Sequence, residues 1–201
     1  MNRSCTEQQF LKDVTNHTMT VHTDIGMVRV LVFQQPGTIN LMFVLTTWPG
    51  YLCISGDMGT YVFSRLADMF QFFRSEGHES VRGLFINLPY WEQKLKAVDK
   101  NSNVKEYSYE IFKQIVQERI DEAETTKKQR DAIEHLVESL DGEDITEVHR
   151  RVSEFDEFDF TDFWEHDLTE YTYHFIWICY AIAWGGSAIR QSQGGAPWRL
   201  N

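Results

Sequence analysis

Two chain reversals and a helix cap, packed into residues 47–74, constrain this chain more than any other feature. The run TWPGYLCISGDMGTYVFSRLADMFQFFR sets β-branched and aromatic residues between Pro49-Gly50 and Gly56-Asp57-Met58-Gly59. Proline presets φ for the first central position of a turn and glycine supplies the positive φ of the second, so the chain reverses at such pairs. The spacing predicts strand, turn, strand, turn, strand, and then a helix opened by Ser64, whose hydroxyl can accept from the free amides of a first turn. Leu66, Met69, Phe70 and Phe73 form one stripe of that helix, suited to lie on the sheet, and Gly77 ends it.

The same pattern extends upstream. Residues 19–24, 27–34 and 39–47 are separated by Asp24-Ile25-Gly26 and Pro36-Gly37. With 51–55 and 60–63 they predict an antiparallel meander of about five strands. Residues 39–45, INLMFVL, are nearly apolar on both faces, which predicts a central strand covered on both sides. A short helix over 6–17, carrying Phe10, Leu11 and Val14, precedes the meander. Residues 81–88 read as extended because the residue before Pro89 is pushed away from helical ψ, and Pro89 opens a helix to about Asp99.

Beyond Asp99-Lys100-Asn101-Ser102-Asn103 the period becomes helical. Ser108 opens a helix with Phe112, Ile115, Val116, Ile120 and Ala123 on one face. Thr126-x-x-Gln129 has the form of a capping box for a second, with Ile133, Leu136, Val137 and Leu140 inward and Asp141-Gly142 as its stop. Asp144-x-x-Glu147 opens a third, carrying Val148 and Val152. Asp167-x-x-Glu170 has the same form and predicts the cap of the last helix, YTYHFIWICYAIAW, which is apolar nearly all round. Such a helix is enclosed by protein on several sides, so it is expected to stand as a pillar against the sheet and to end at Gly185-Gly186. The tail from Gln191 is Gly-rich and reads as loose. The reading is a single α+β domain over residues 1–201, with a sheet-rich half, 1–104, and an acidic helical half, 105–201.

Charge separates those halves. The chain carries −11 at neutral pH; residues 1–104 hold nine Lys or Arg against nine Asp or Glu, and residues 105–201 hold ten against twenty-one. A surface of that sign repels a nucleic-acid backbone and attracts basic partners. The N-terminal run MNRSCTEQQFLKDV lacks the apolar core of a secretory signal. The longest nearly apolar run, 175–184, is about half of the ~20 residues a membrane crossing needs. Cys5, Cys53 and Cys179 are odd in number and far apart, which fits free thiols in a reducing compartment. The expectation is a soluble, cytoplasmic protein with no membrane contact.

Residues 155–170, FDEFDFTDFWEHDLTE, hold seven carboxylates and five aromatic rings. Spaced carboxylates can stand in for phosphates, and rings between them supply the apolar anchors that interfaces favour. Asp156, Glu157, Asp159, Asp162, Phe163, Trp164 and Glu165 are therefore the candidate partner-binding set, for a basic protein or a nucleic-acid-binding protein complex. The competing reading is that the rings dock into the core and the acids solvate the outer side.

Other candidates are weaker. His166, Glu170 and His174 fall four apart and would share one helical face, so they are the candidate metal ligands, against a plain capping role for Glu170. Asp57 between glycines could serve as a general acid or base, but a tight hairpin demands that pattern for geometry alone. Cys53, inside a strand, reads as an inert core thiol rather than a nucleophile. The Lys127-Lys128-Gln129-Arg130 cluster reads as a solvated helix face. No cofactor motif is present, since no Gly-Lys-Ser/Thr follows the glycines of a phosphate loop, and the pattern favours a binding protein over the two alternatives, an enzyme or metal- or small-ligand-binding protein using Asp57, His166, Glu170 and His174 in a cleft, and a structural or assembly protein.

Two segments, WPGYLCISGDMGTYVFSRLADMFQFFR and FWEHDLTEYTYHFIWICYAIAWG, resemble an uncharacterised group of proteins encoded in phages and prophages of Gram-negative bacteria. The resemblance implies a mobile-element setting and gives no residue a role. Proteins of that setting often serve DNA metabolism or disarm host defences. Small acidic inhibitors of CRISPR effectors are similar in charge character, which adds weight to a binding function.

Overall fold

The computed structural model describes residues 4–75 and 83–193. The fold is α+β. It divides into two compact units, residues 1–104 with 171–201, and residues 105–170. The last helix thus belongs with the sheet, not with the acidic helices that precede it in sequence.

The sheet unit opens with α1 (Glu7–Asp13), capped by the Thr6 hydroxyl on the Gln9 amide. The meander follows as β1 (Thr18–Ile25), β2 (Val28–Gln34), β3 (Phe43–Trp48), β4 (Tyr51–Gly56) and β5 (Gly59–Ser64). A sixth strand, β6 (Leu95–Val98), pairs with β5, so the spatial order is the chain order and all neighbours are antiparallel. The sequence expects a helix from Pro89 to about Asp99. The structure instead has a short α3 (Leu88–Glu92), capped by Asn87, and then β6, because a free strand edge on β5 outbids weak local helix preference.

Burial alternates along β3, and along β4 and β5 except at Gly56 and Gly59, where the two strands join. The inward row holds Phe33, Phe43, Leu45, Leu52, Ile54, Tyr61 and Phe63, all essentially inaccessible. The strand expected to be covered on both sides is therefore buried on one face only. Its first residues, 39–42, are not strand at all: Leu41 sits at φ 57°, and its amide donates to the Asp57 carboxylate at 2.6 Å.

Helix α2 (Met69–Ser75) begins later than Ser64, with the Asp68 carboxylate accepting from the Phe70 amide at 3.1 Å. Asp68 also takes the Arg29 guanidinium at 3.1 Å. That charged anchor fixes the helix start, leaving Leu66 on the surface. The stop expected at Gly77 lies outside the described residues, as do positions 81 and 82 of the stretch expected to be extended.

Helix α7 (Tyr173–Gln193) covers the inner face of the sheet. Its cap is the Thr172 hydroxyl, which accepts from the Phe175 amide at 3.2 Å; Asp167 and Glu170 take no part. Trp177 meets Phe10 and Phe43 edge to face at 5.1 and 5.6 Å, and Trp184 tilts over Phe33 at 5.4 Å. The helix runs straight through Gly185-Gly186. A Cβ at Gly185 would lie 2.5 Å from Leu45 Cδ1 and 3.1 Å from Phe33 Cζ, so glycine there serves close approach to the sheet rather than termination. Residues 191–193 of the expected loose tail are helical, and 194–201 lie outside the described residues. Among the described residues no helix is long and apolar enough to cross a membrane.

Asp99 ties the β5 entrance to the chain beyond β6. Its carboxylate accepts from the Thr60 amide at 2.7 Å, the Asn101 amide at 2.8 Å and the Ser102 hydroxyl at 2.9 Å. Those donors, led by Asn101, hold its pKa below the usual carboxylate value. A depressed carboxylate contributes stability above its unfolded pKa and loses it as pH falls through the folded one. Asp99→Asn is accordingly expected to lower the melting temperature near pH 7, and the gap from wild type should shrink between about pH 5 and about pH 3. A gap constant with pH would show that the ionised form carries nothing.

Candidate functional site

The second unit is built from three capped helices, α4 (Tyr109–Glu122), α5 (Lys127–Ser139) and α6 (Ile145–Ser153). Ser108 accepts from the Ile111 amide, Thr126 and Gln129 form the reciprocal capping box, and Asp144 accepts from the Thr146 and Glu147 amides. Their apolar stripes meet in a core of Phe112, Val116, Ile133, Leu136, Leu140 and Val148, separate from that of the sheet unit. Strands β7 (Lys105–Tyr107) and β8 (Thr169–Tyr171) pair with each other, and the Ser108 amide donates to the Leu168 carbonyl at 2.9 Å.

Onto this core folds the acidic aromatic segment. Phe160 and Phe163 are buried, and Phe163 meets Phe112 edge to face at 5.9 Å. Phe160 packs edge to face on Phe158 at 4.9 Å and on Phe163 at 5.8 Å. Two backbone clips hold the loop: Arg119 Nη2 donates to the Thr161 carbonyl at 2.9 Å, and Gln129 Nε2 to the Glu157 carbonyl at 3.1 Å. A short 3₁₀ turn, Phe163–Glu165, then carries Trp164 outward at 64% exposure.

The seven residues of the candidate set therefore divide. Asp156, Glu157, Asp159, Asp162 and Glu165 are all exposed, and no ion pair among the described residues engages any of them. Trp164 is the ring left to solvent. Phe163 is turned into the core, because the helices α4 and α6 leave a ring-sized gap there, and it reaches the surface only as a pocket floor.

That pocket, about 630 Å³ in volume, is walled by Phe155, Phe158, Phe160, Phe163 and Trp164, with Asp156 and Asp159 at hand. Its one guanidinium, Arg150, is already held by Glu147 and Glu154, and those two carboxylates raise its pKa further. His149 lines the same space, edge to face with Phe163 at 6.2 Å. Its Nε2 is buried without a hydrogen-bond partner. Ring faces and exposed carboxylates, of which Asp159 also accepts from the Thr161 hydroxyl at 2.6 Å, are a set that suits a cationic side chain. His149 carries no motif in the sequence; its neighbours Val148 and Val152 mark the inward face of α6, which is the one signal that it borders the core.

The other candidates have structural duties or do not assemble. His166 follows the 3₁₀ turn in extended conformation, Glu170 lies in β8, and His174 lies in the first turn of α7. The helical spacing that would align them does not exist, since a strand and a cap intervene. Among the described residues no group of three or more His, Cys, Asp or Glu could hold a metal ion. Asp57 is committed to the Leu41 amide. Lys127 to Arg130 form the first turn of α5, and Arg130 donates to the Thr125 hydroxyl at 2.8 Å. Burial raises the pKa of all three thiols, Cys5 to about 11, and they are unpaired. Cys53 alone is half-buried, on the outer face of β4.

Fold and site together define an α+β protein with an acidic, ring-lined pocket in its inserted helical unit. No family model, no curated protein and no solved structure matches the chain.

Proposed function

We propose that this chain is a non-enzymatic accessory protein of a phage or prophage that binds a basic host or phage protein through residues 155–165, as an inhibitor of a host defence system such as CRISPR would. The observation that supports this reading best is the ring-walled pocket beside five exposed carboxylates that make no ion pair among the described residues. A lysine or arginine of the partner placed there gains ring faces, Asp156 and Asp159, while the outer acids steer approach. Trp164 is the natural anchor, since exposed tryptophan at the centre of a polar rim dominates many interfaces.

Reversing Asp156, Glu157, Asp159 and Asp162 to lysine is expected to abolish capture of the partner from a bacterial lysate while leaving circular dichroism unchanged. Wild-type capture should weaken as salt rises, because exposed charge attraction is screened. Trp164→Ala should weaken capture roughly thirtyfold and shift the melting temperature little, since its ring is outside the core. Undiminished capture by the four-residue variant would sink the reading.

A further inference from the structure

Residues 156–165 crowd Asp156, Glu157, Asp159, Asp162 and Glu165 into one short segment without regular strand or α-helix, and like charges so close disfavour a compact arrangement. The two side chains that reach it from distant helices both take its main chain. Arg119 of α4 donates to the Thr161 carbonyl and Gln129 of α5 to the Glu157 carbonyl. A guanidinium beside acids would ordinarily take a carboxylate in a two-pronged pair. Arg119 makes no ion pair among the described residues, although Asp162 is next in the chain to the residue it holds. Directly after that clip Asp162 sits at φ 59°, left-handed and without a side-chain cap bond, and the turn that presents Trp164 begins there. Few residues other than glycine adopt that conformation unless their surroundings impose it.

We infer that Gln129 and Arg119 are positioning residues of the acidic surface, which hold residues 155–165 by the main chain, leave the five carboxylates outward, and so set how tightly the surface binds a cationic partner. The inference rests on the binding reading above and adds what organises that site. Gln129 carries the argument furthest. It is half-buried, and its Oε1 accepts from the Thr126 amide at 3.0 Å and the Thr126 hydroxyl at 2.9 Å, while its Nε2 donates to Glu157 at 3.1 Å. A main-chain N–H on one side and a main-chain carbonyl on the other fix which end of the amide is which. Glutamate serves a capping box equally well. Ionised, however, it has no donor, and it would set an oxygen against the Glu157 carbonyl. Glutamine is thus required by the loop rather than by the helix it caps, and a surface ordered beforehand does not have to be ordered on binding.

A glutamate-specific protease reads the seat directly, because the bond it cuts after Glu157 belongs to the carbonyl that Gln129 holds. Under native conditions cleavage follows the opened population, so Gln129→Glu is expected to be cut after Glu157 at least about tenfold faster than wild type, with melting temperature near wild type. Thr126→Ala removes the cap hydroxyl and leaves the Gln129 clip. It is expected to lower the melting temperature while cleavage after Glu157 stays at the wild-type rate, which separates positioning from a plain role in α5. Arg119→Met should speed hydrogen exchange of the Phe163 and Glu165 amides, which are bonded within the loop. Decalysine at low salt, followed by titration calorimetry, is the binding probe: Gln129→Glu and Arg119→Met should each bind it roughly tenfold more weakly than wild type. Equal cleavage of wild type and Gln129→Glu overturns the inference, and so does Thr126→Ala opening the loop as far as Gln129→Glu. An opened loop that binds decalysine as tightly as wild type overturns it too. A wild type that does not bind decalysine, with the loop freed in Gln129→Glu, defeats the binding reading and supports the seating of the loop.

Discussion

Trp177→Ala is expected to destabilise the sheet unit by about 3–5 kcal/mol, the range for truncating a buried Phe or Trp to alanine. Trp177 is 1% exposed. Its ring is gripped edge to face by Phe10 of α1 and Phe43 of β3, so its loss opens a cavity where three elements meet. The indole N–H also donates to the Asp13 carboxylate at 3.0 Å, which the Tyr173 hydroxyl shares at 3.3 Å. Tyr173 still serves Asp13 in the variant, so the loss is chiefly one of packing. Trp177→Phe should therefore recover more than half of it. Urea unfolding followed by circular dichroism measures both, as a lower midpoint with similar slope. A loss below about 1 kcal/mol for the alanine variant would mean that α7 is not seated on the sheet as described.

The turns and caps of this fold are legible because their causes are local. Pro49-Gly50 and Gly56-Asp57-Met58-Gly59 set φ by themselves, and Thr126 with Gln129 needs only its own first turn. What the sequence hides is long-range. Residues 39–42 are as apolar as a strand, yet the Leu41 amide is taken by Asp57, sixteen positions on in the chain. Residues 95–98 become a strand only because β5 has a free edge. Gly185 looks like a helix stop, whereas it is small because Leu45 and Phe33 press on it. Asp167 has the form of a cap, but its carboxylate serves Thr169 and Lys105, and Thr172 caps the helix.

The candidate site divides along the same line. That 155–170 would be acidic and ring-rich is plain from composition, and which carboxylates face water follows from their charge. Which rings face inward does not follow from local pattern, because the segment has no helical or strand period. Only the gap among α4, α5 and α6 decides it, and that gap draws in Phe160 and Phe163 while leaving Trp164 out. The pocket and His149 exist only after that choice, so no reading of the segment alone could find them.

Gly56→Ala is expected to be the most damaging single-methyl addition among the described glycines, costing about 3 kcal/mol. A Cβ there would stand 2.1 Å from the Met42 carbonyl oxygen and 2.8 Å from Phe43 Cα, both backbone atoms that no rotamer change can move. Relief requires β3 and β4 to part at Phe43 opposite Gly56. That displaces the Asp57 amide, bonded to the Met42 carbonyl at 3.2 Å, and the Asp57 carboxylate that holds Leu41 in its left-handed conformation. Two other glycines calibrate the claim. At Gly59 the added methyl meets the Ser102 hydroxyl at 2.1 Å, a side-chain atom that can rotate away, and at Gly26 it meets nothing within 4 Å. Gly26→Ala should cost only the strain of its φ of +61°, about 1 kcal/mol, and Gly59→Ala should fall between. If thermal unfolding ranks Gly26→Ala as equal to or worse than Gly56→Ala, the close approach of residue 42 to β4 is wrong, and with it the account of how Asp57 shapes the meander.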